Sequence, residues 1–301
     1  MLRVDKPSLT QVLKARLKHY QDKVNDGGYS VSQAWKNFTQ TEGRHKKLNQ
    51  PTVRALLAQT FHYKCAYCEN RTPARGNPIE HYEPKKSKPN KMFAWDNLLW
   101  ACVTCNTGAK GRKMDYDAQG NPLLLNPCKP EDDPLSFLEI SIAPQEVPPL
   151  LRGLGHMSGR DGLTPDKQAR ASYTIVELGL NLEKLPSDRA KSIRLFLRNI
   201  SGLFNPEQGP DFRAQSGMLP IRESLAKQLD PTTPHLAAIR QILYCEPAYI
   251  ANFYDTENYQ CLLHALLETL PELRPSSDVW ALRPADLSIL APKVRDWLEE
   301  Q

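Results

Sequence analysis

The residues best suited to chemistry lie between His62 and Lys113. Cys65-Ala66-Tyr67-Cys68 and Cys102-Val103-Thr104-Cys105 form two Cys-x-x-Cys pairs; Glu80-His81 and Asn97 stand between them, and Asn106 follows the second directly. Each pair can place two thiolates on one tight turn, and four thiolates satisfy a closed tetrahedral zinc site. A closed site has no open coordination position. Zinc held by Cys65, Cys68, Cys102 and Cys105 is therefore expected to be a staple, with the chemistry beside it. His62, three residues before Cys65, is an alternative zinc ligand, but the cysteines already complete the set.

Hydrolysing a phosphodiester needs a base to make hydroxide and a cation to take up charge on the leaving oxygen. His81 suits the first task, because an imidazole with an ordinary pKa of roughly 6.5 is mostly neutral at pH 7; read by itself, a structural histidine is the alternative. Glu80 and Asn106 offer oxygen ligands, which prefer a hard ion such as Mg²⁺ or Mn²⁺, and Mg²⁺ tolerates few protein ligands because it keeps waters and takes phosphate oxygens. Asn106 adjoins Cys105, so the staple would fix its position. Adjacent strand residues point to opposite faces, so a twist or bulge is expected at Glu80-His81 if both serve one site.

Charge follows the same stretch. Of the 39 Lys and Arg and 34 Asp and Glu in the chain, residues 60–115 hold ten and five, so the remainder carries 29 of each and the whole excess of +5 surrounds the motif. That distribution fits a site that meets phosphates. Lys85, Lys86 and Lys88 after the acid–histidine pair, and Lys110, Arg112 and Lys113 after Asn106, are the candidate nucleic-acid contacts; a solvated surface is the alternative for both clusters.

Several elements must position these groups. Val12, Leu13, Leu17, Tyr20 and Val24 recur at three and four, which predicts an amphipathic helix over 8–25, stopped at Asp26-Gly27-Gly28. A second helix is expected over 31–40, and a third from Pro51, carrying Val53, Leu56, Leu57 and Phe61 towards the first pair. A short strand at 79–82, an apolar segment at 98–101 and a helix from Val103 complete the centre. Trp95 and Trp100 read as core. A proline-dense connector follows, with a strand over 137–142, a partner near 150–154 and a turn at 158–162. Thr164-Pro165 opens a helical region with a stop at Gly179 and further helices at 186–203, 234–244, 248–269 and 288–300. The fold class is therefore α+β, mostly helical. Its segments are N-terminal helices (1–58), a zinc-stapled core (59–126), a proline-rich connector (127–164) and a C-terminal helical region (165–301).

At 301 residues, with 40% hydrophobic content and a mean hydropathy of -0.54, the chain can bury a core. No apolar run approaches the ~20 residues of a membrane helix, and the N-terminal stretch lacks a signal-peptide core. Both points indicate a cytoplasmic protein without a membrane partner, where paired cysteines hold metal rather than form disulfides. Cys128, Cys245 and Cys261 read as ordinary thiols.

Glu80-His81, Asn97 and Cys102-x-x-Cys105-Asn106 resemble the zinc-stapled branch of the HNH nucleases, whose ββα-metal motif surrounds one divalent cation. The resemblance implies an endonuclease in which His81 is the base, Glu80 and Asn106 hold Mg²⁺ or Mn²⁺, and Asn97 ties the inter-strand loop to the backbone near the base. Cys65-x-x-Cys68-Glu69, Ile79-Glu80-His81-Tyr82 before Pro84-Lys85, Leu124-Leu125-Asn126-Pro127 and Thr174-Ile175-x-x-Leu178-Gly179-Leu180-Asn181, followed by Leu185 and Arg189, resemble the PtuB-type branch. Those proteins belong to Septu and retron-linked anti-phage systems. The likeness implies an ABC-type ATPase partner of the PtuA kind, and in retron-linked systems a reverse transcriptase with its RNA–DNA. The chain has no Gly-x-x-x-x-Gly-Lys, so a nucleotide-driven switch would come from such a partner, and the helices from 165 onward are the candidate docking region. Two departures stand out: Glu83 occupies a place where a basic residue is expected, and Lys110 falls one residue later after Asn106 than the commonest spacing. DNA is the expected target, with structured RNA such as tRNA as an alternative. The competing reading is a zinc-stapled binding or adaptor module without catalysis.

Overall fold

The computed structural model describes residues 1–73, 79–110, 114–140, 155–182, 184–201 and 223–245. Arg112 and Lys113, the strand expected near 150–154, and the helices expected at 248–269 and 288–300 lie outside the described residues. Within them the fold is α+β and mostly helical, with two small two-stranded sheets. The chain divides into two compact units, Met1–Leu138 with Ser158–Leu182, and Glu139–Met157 with Glu183–Gln301.

The first unit opens with α1 (Gln11–Asn25), α2 (Val31–Lys47) and α3 (Val53–Thr60). Local chemistry sets each start. Thr10 accepts from the Leu13 amide and Thr52 from the Ala55 amide, while Ser30 and Gln33 form a reciprocal capping box. α3 therefore begins after Thr52 rather than at Pro51: a hydroxyl that satisfies an orphan amide outweighs the proline preference. α2 runs seven residues beyond the expected Gln40, to Lys47, and ends on the basic turn Arg44-His45-Lys46-Lys47, which suits the negative end of the helix dipole. Leu13, Leu17 and Tyr20 of α1 and Ala34 and Phe38 of α2 are buried, and Tyr20, Trp35, Phe38 and Phe93 stack into one aromatic cluster.

Strands β1 (Ile79–His81) and β2 (Leu98–Trp100) pair antiparallel in the register Ile79↔Trp100, Glu80↔Leu99 and His81↔Leu98. Every residue of both strands is buried. Trp100 is fully enclosed and donates its indole N–H to Thr72 Oγ1 at 2.5 Å. After Val103 the chain forms a π-helix over Thr104–Lys110.

α4 (Pro134–Phe137) and α5 (Pro165–Glu177) complete this unit. α5 starts at Pro165 as expected, and Gly179 takes φ +59°, the left-handed stop that glycine provides without strain. The Leu125 amide donates to Thr174 Oγ1 at 3.0 Å, the Asp115 amide to the Tyr173 hydroxyl at 3.0 Å, and Arg170 pairs with the buried Asp132 at 2.7 Å. The start of the 165–301 segment thus shares a unit with the cysteine-bearing core. It also joins two stretches far apart in sequence, Leu124–Pro127 and Thr174–Asn181.

β3 (Leu138–Ile140) lies inside the expected 137–142 strand, whereas β4 (Met157–Gly159) takes Ser158 and Gly159 from the expected turn. In the second unit, α6 (Leu185–Ser201), a short helix α7 (223–228) and α8 (Leu236–Cys245) follow. Ile193, Phe196 and Leu197 of α6 and Leu236 to Ile239 of α8 are buried. Arg189, enclosed on α6, donates Nε to the Gly155 carbonyl at 2.5 Å. Gly155 sits at φ +85°, with Pro186 O only 2.3 Å from where a Cβ would be, so no side chain fits there. Gln241 clamps both backbone groups of Ile140, accepting at 2.7 Å and donating at 3.1 Å.

Candidate functional site

The four cysteine sulfurs lie within 4.8 Å of one another, and Cys68 Sγ stands 3.9 Å from Cys102 Sγ. Tetrahedral zinc with bonds of about 2.3 Å needs sulfurs roughly 3.8 Å apart, so the cluster fits that ion in donor type and spacing. Two knuckles build it. In the first, the Cys65 amide donates to Asn70 O and the Glu69 amide to Cys65 O, with Glu69 at φ +61° closing the turn. In the second, the Cys105 amide donates to Cys102 Sγ at 3.4 Å and the Asn106 amide to Cys102 O at 2.9 Å. The Ala66 amide, bonded to Trp100 O at 2.8 Å, ties the first knuckle to β2. Hydrogen bonds from Cys105, Cys65 and Cys68 pull the Cys102 thiol towards its thiolate form. His62 is exposed at φ +51° and outside the cluster.

Glu80 and His81 sit side by side on β1, and the strand runs through them in register with β2, without the bulge expected from sequence. They accordingly meet different neighbours. The Glu80 carboxylate, 2% exposed, accepts from Lys110 Nζ at 2.6 Å and from the Tyr67 hydroxyl at 3.4 Å. Burial pushes its pKa up against the pull of Lys110. The His81 ring packs edge-on against Trp35 of α2, with centroids 4.6 Å apart. Burial, followed by the nearby charges of Lys85 and Lys110, lowers the His81 pKa to about 3. The imidazole is thus neutral, and its buried Nε2 has no hydrogen-bond partner.

Asn97 is buried and fully engaged. Its Oδ1 accepts from the Glu83 amide at 2.7 Å, and its Nδ2 donates to Glu83 O at 3.0 Å and Lys91 O at 2.9 Å. Those bonds close the loop from β1 to β2. Asn106, on the π-helix, is buried with its Nδ2 unpartnered. An unsatisfied buried amide N–H suits an acceptor supplied by a ligand, whereas a cation would be held through Asn106 Oδ1. Glu80 and Asn106 are by type the donors that could hold a hard divalent cation.

Lys110 corrects an expectation. It was grouped with solvent-facing phosphate contacts, but its side chain is 1% exposed and its ammonium is spent on Glu80 and on the His81 carbonyl, 2.8 Å away. The π-helix is the physical reason. Its wider turn ends on the lysine and brings the ammonium to the backbone of β1. The loop lysines are distributed differently: Lys86 is exposed, Lys85 lies 4.8 Å above the Trp35 ring and Lys88 5.6 Å from that of Tyr116. Glu83, the departure noted in the sequence, pairs with Lys91. Sequence spacing gave no sign of Trp35 or Tyr67 as site neighbours. Trp35 lies outside the motif on α2, more than forty positions before His81, and Tyr67 is a position between the two cysteines of a knuckle.

The site therefore joins a sulfur clamp to a short two-stranded sheet that carries a buried, ion-paired acid and a neutral imidazole, with an unsatisfied amide on the π-helix of the second knuckle. No family model matches the chain. It is similar to two Septu proteins named PtuB: 34% identical over 80 residues to that of Bacillus thuringiensis, and 32% identical over 114 residues to that of Bacillus mycoides strain KBAB4. The matches cover 26% and 29% of this chain and 29% and 38% of those proteins, so the chain aligns with well under half of each relative. Among the described residues, no helix is long and apolar enough to cross a membrane.

Proposed function

We propose that this chain is a metal-dependent HNH-type endonuclease subunit that acts in anti-phage defence beside a PtuA-like ABC-type ATPase. The observation that carries the reading is the neutral His81 imidazole, its Nε2 without a partner, on a strand tied through β2 to the four-sulfur clamp. Similarity to the PtuB proteins supports the defence context. His81 Nε2 takes a proton from the attacking water as its oxygen bonds to phosphorus; the P–O3′ bond breaks and the leaving oxygen takes a proton from solvent, giving 5′-phosphate and 3′-hydroxyl ends. A Mg²⁺ or Mn²⁺ ion held by Glu80 and Asn106 would neutralise charge on the phosphate and the leaving oxygen.

An imidazole held near pKa 3 is a weak base at rest. The negative charge of a bound strand raises its proton affinity, so base strength would grow on substrate binding. Asn97 acts as a positioning residue by fixing the loop that carries Lys85, Lys86 and Lys88 towards phosphates. The helical region from 165 onward is the proposed docking region for the ATPase, and failure of a chain lacking the part of it beyond residue 182 to co-purify is the expected result.

The test is cleavage of matched DNA and RNA pools by the zinc-loaded chain with its ATPase partner. His81→Ala is expected to lose at least about a hundredfold in rate with zinc content and melting profile unchanged. Undiminished cleavage by that variant removes the assignment. Nucleic-acid binding with no turnover under any metal or partner condition would favour the adaptor reading.

A further inference from the structure

We propose that Lys110 is a built-in cation on Glu80, which a divalent ion must displace before it can bind there. The inference rests on the reading of Glu80 as a metal ligand and adds a restraint on that same site. Lys110 Nζ lies 2.6 Å from Glu80 Oε1 and 2.8 Å from His81 O, and both side chains of the pair are 3% exposed or less. A divalent ion bonded to Glu80 at about 2.1 Å would stand within a few ångströms of the ammonium, and two such charges repel strongly in a buried setting. The carboxylate therefore serves one cation at a time.

The element that carries Lys110 can supply the exchange. π-turns are rare and cluster at functional sites, and here one ends on the lysine itself. Its N-terminal half is anchored, because Cys105 belongs to the sulfur cluster and the Asn106 amide is bonded to Cys102 O. Its C-terminal half contains Gly108, around which a Cβ would find open space. Tightening that turn by one residue moves Lys110 while Asn106 stays in place. The buried, unpartnered His81 Nε2 lies on the same strand as Glu80.

The test measures Mn²⁺ binding by electron paramagnetic resonance on the zinc-loaded full chain. Lys110→Gln keeps a hydrogen-bond donor and removes the charge, Lys110→Arg keeps the charge, and Glu80→Gln removes the ligand. Lys110→Gln is expected to bind Mn²⁺ on the order of tenfold more tightly than wild type, within the usual range of coupling between competing ligands. Lys110→Arg should stay near wild type. Equal or weaker Mn²⁺ binding by a folded, zinc-replete Lys110→Gln overturns the proposal and makes Lys110 a mere support for Glu80. If Glu80→Gln binds Mn²⁺ as wild type does, the metal-ligand reading itself fails, and the restraint fails with it. Should Lys110→Gln lose its zinc or its cooperative melt, Lys110→Met in a Glu80→Gln background restores charge balance; a melt no better than that of Lys110→Gln alone then also counts against the pairing.

Discussion

The sulfur cluster and the acid–imidazole centre lie on adjacent pieces of chain, yet they are built on opposite principles. The cluster is complete in itself: four like donors, mutually within 4.8 Å, on two turns whose backbone bonds are local. The centre on β1 is assembled from α2, the first knuckle, β1 and the π-helix, and its groups are partly satisfied by protein and partly left unpaired. A staple must hold whatever the substrate does. A reactive site must keep something back. The contrast teaches that like donors on two local turns form a complete set, whereas a centre drawn from four elements leaves an imidazole nitrogen unpaired.

The comparison breaks most visibly if the cluster is damaged. Cys102→Ser should remove zinc and cost the first unit roughly 5 kcal/mol or more, since binding energy at a structural zinc is folding energy; differential scanning calorimetry with metal analysis checks it. A melt unchanged from wild type would mean that the sheet does not depend on the clamp. Next in size is Asn97→Ala, which strands the Glu83 amide and two carbonyls in a buried loop and should cost about 2–4 kcal/mol. Chemical denaturation measures that loss, and zinc content should stay intact, separating the two regions.

The most gradual effect, spread over several pH units and small at any one pH near neutrality, is a pH slope. His81 titrates near 3 in the folded chain and near its ordinary 6.5 when unfolded, so the unfolded state binds the extra proton between those values. Stability should be fully present above about pH 6.5 and fall as acid is added, by up to about 1.4 kcal/mol per pH unit from this group. His81→Gln should flatten that component. An unaltered slope in the variant would show that His81 is not buried neutral.

Much of the site was legible because spacing is a local property. Two Cys-x-x-Cys pairs imply a sulfur cluster whatever surrounds them, and the stop at Gly179 follows from a single glycine; the first helix instead begins at Gln11 rather than at 8, because the Thr10 side chain caps it. Other features were not legible. Pro51 looked like a helix start until the Thr52 hydroxyl was seen to cap Ala55. The length of α2 depended on its packing, and the partner of β3 on which distant strand met it.

By itself, the sequence determined the donor sets: which residues can bind zinc, which can bind a hard cation and which can accept a proton. Those follow from side-chain chemistry and need no coordinates. Tertiary structure alone decided how those groups are occupied. It set Lys110 against Glu80 through a π-turn, leaned Trp35 on His81, and brought Thr174 to Leu125 across 49 positions of chain. Such contacts depend on burial and on the exact turn of a helix, and neither quantity is carried by the spacing of residues along a chain.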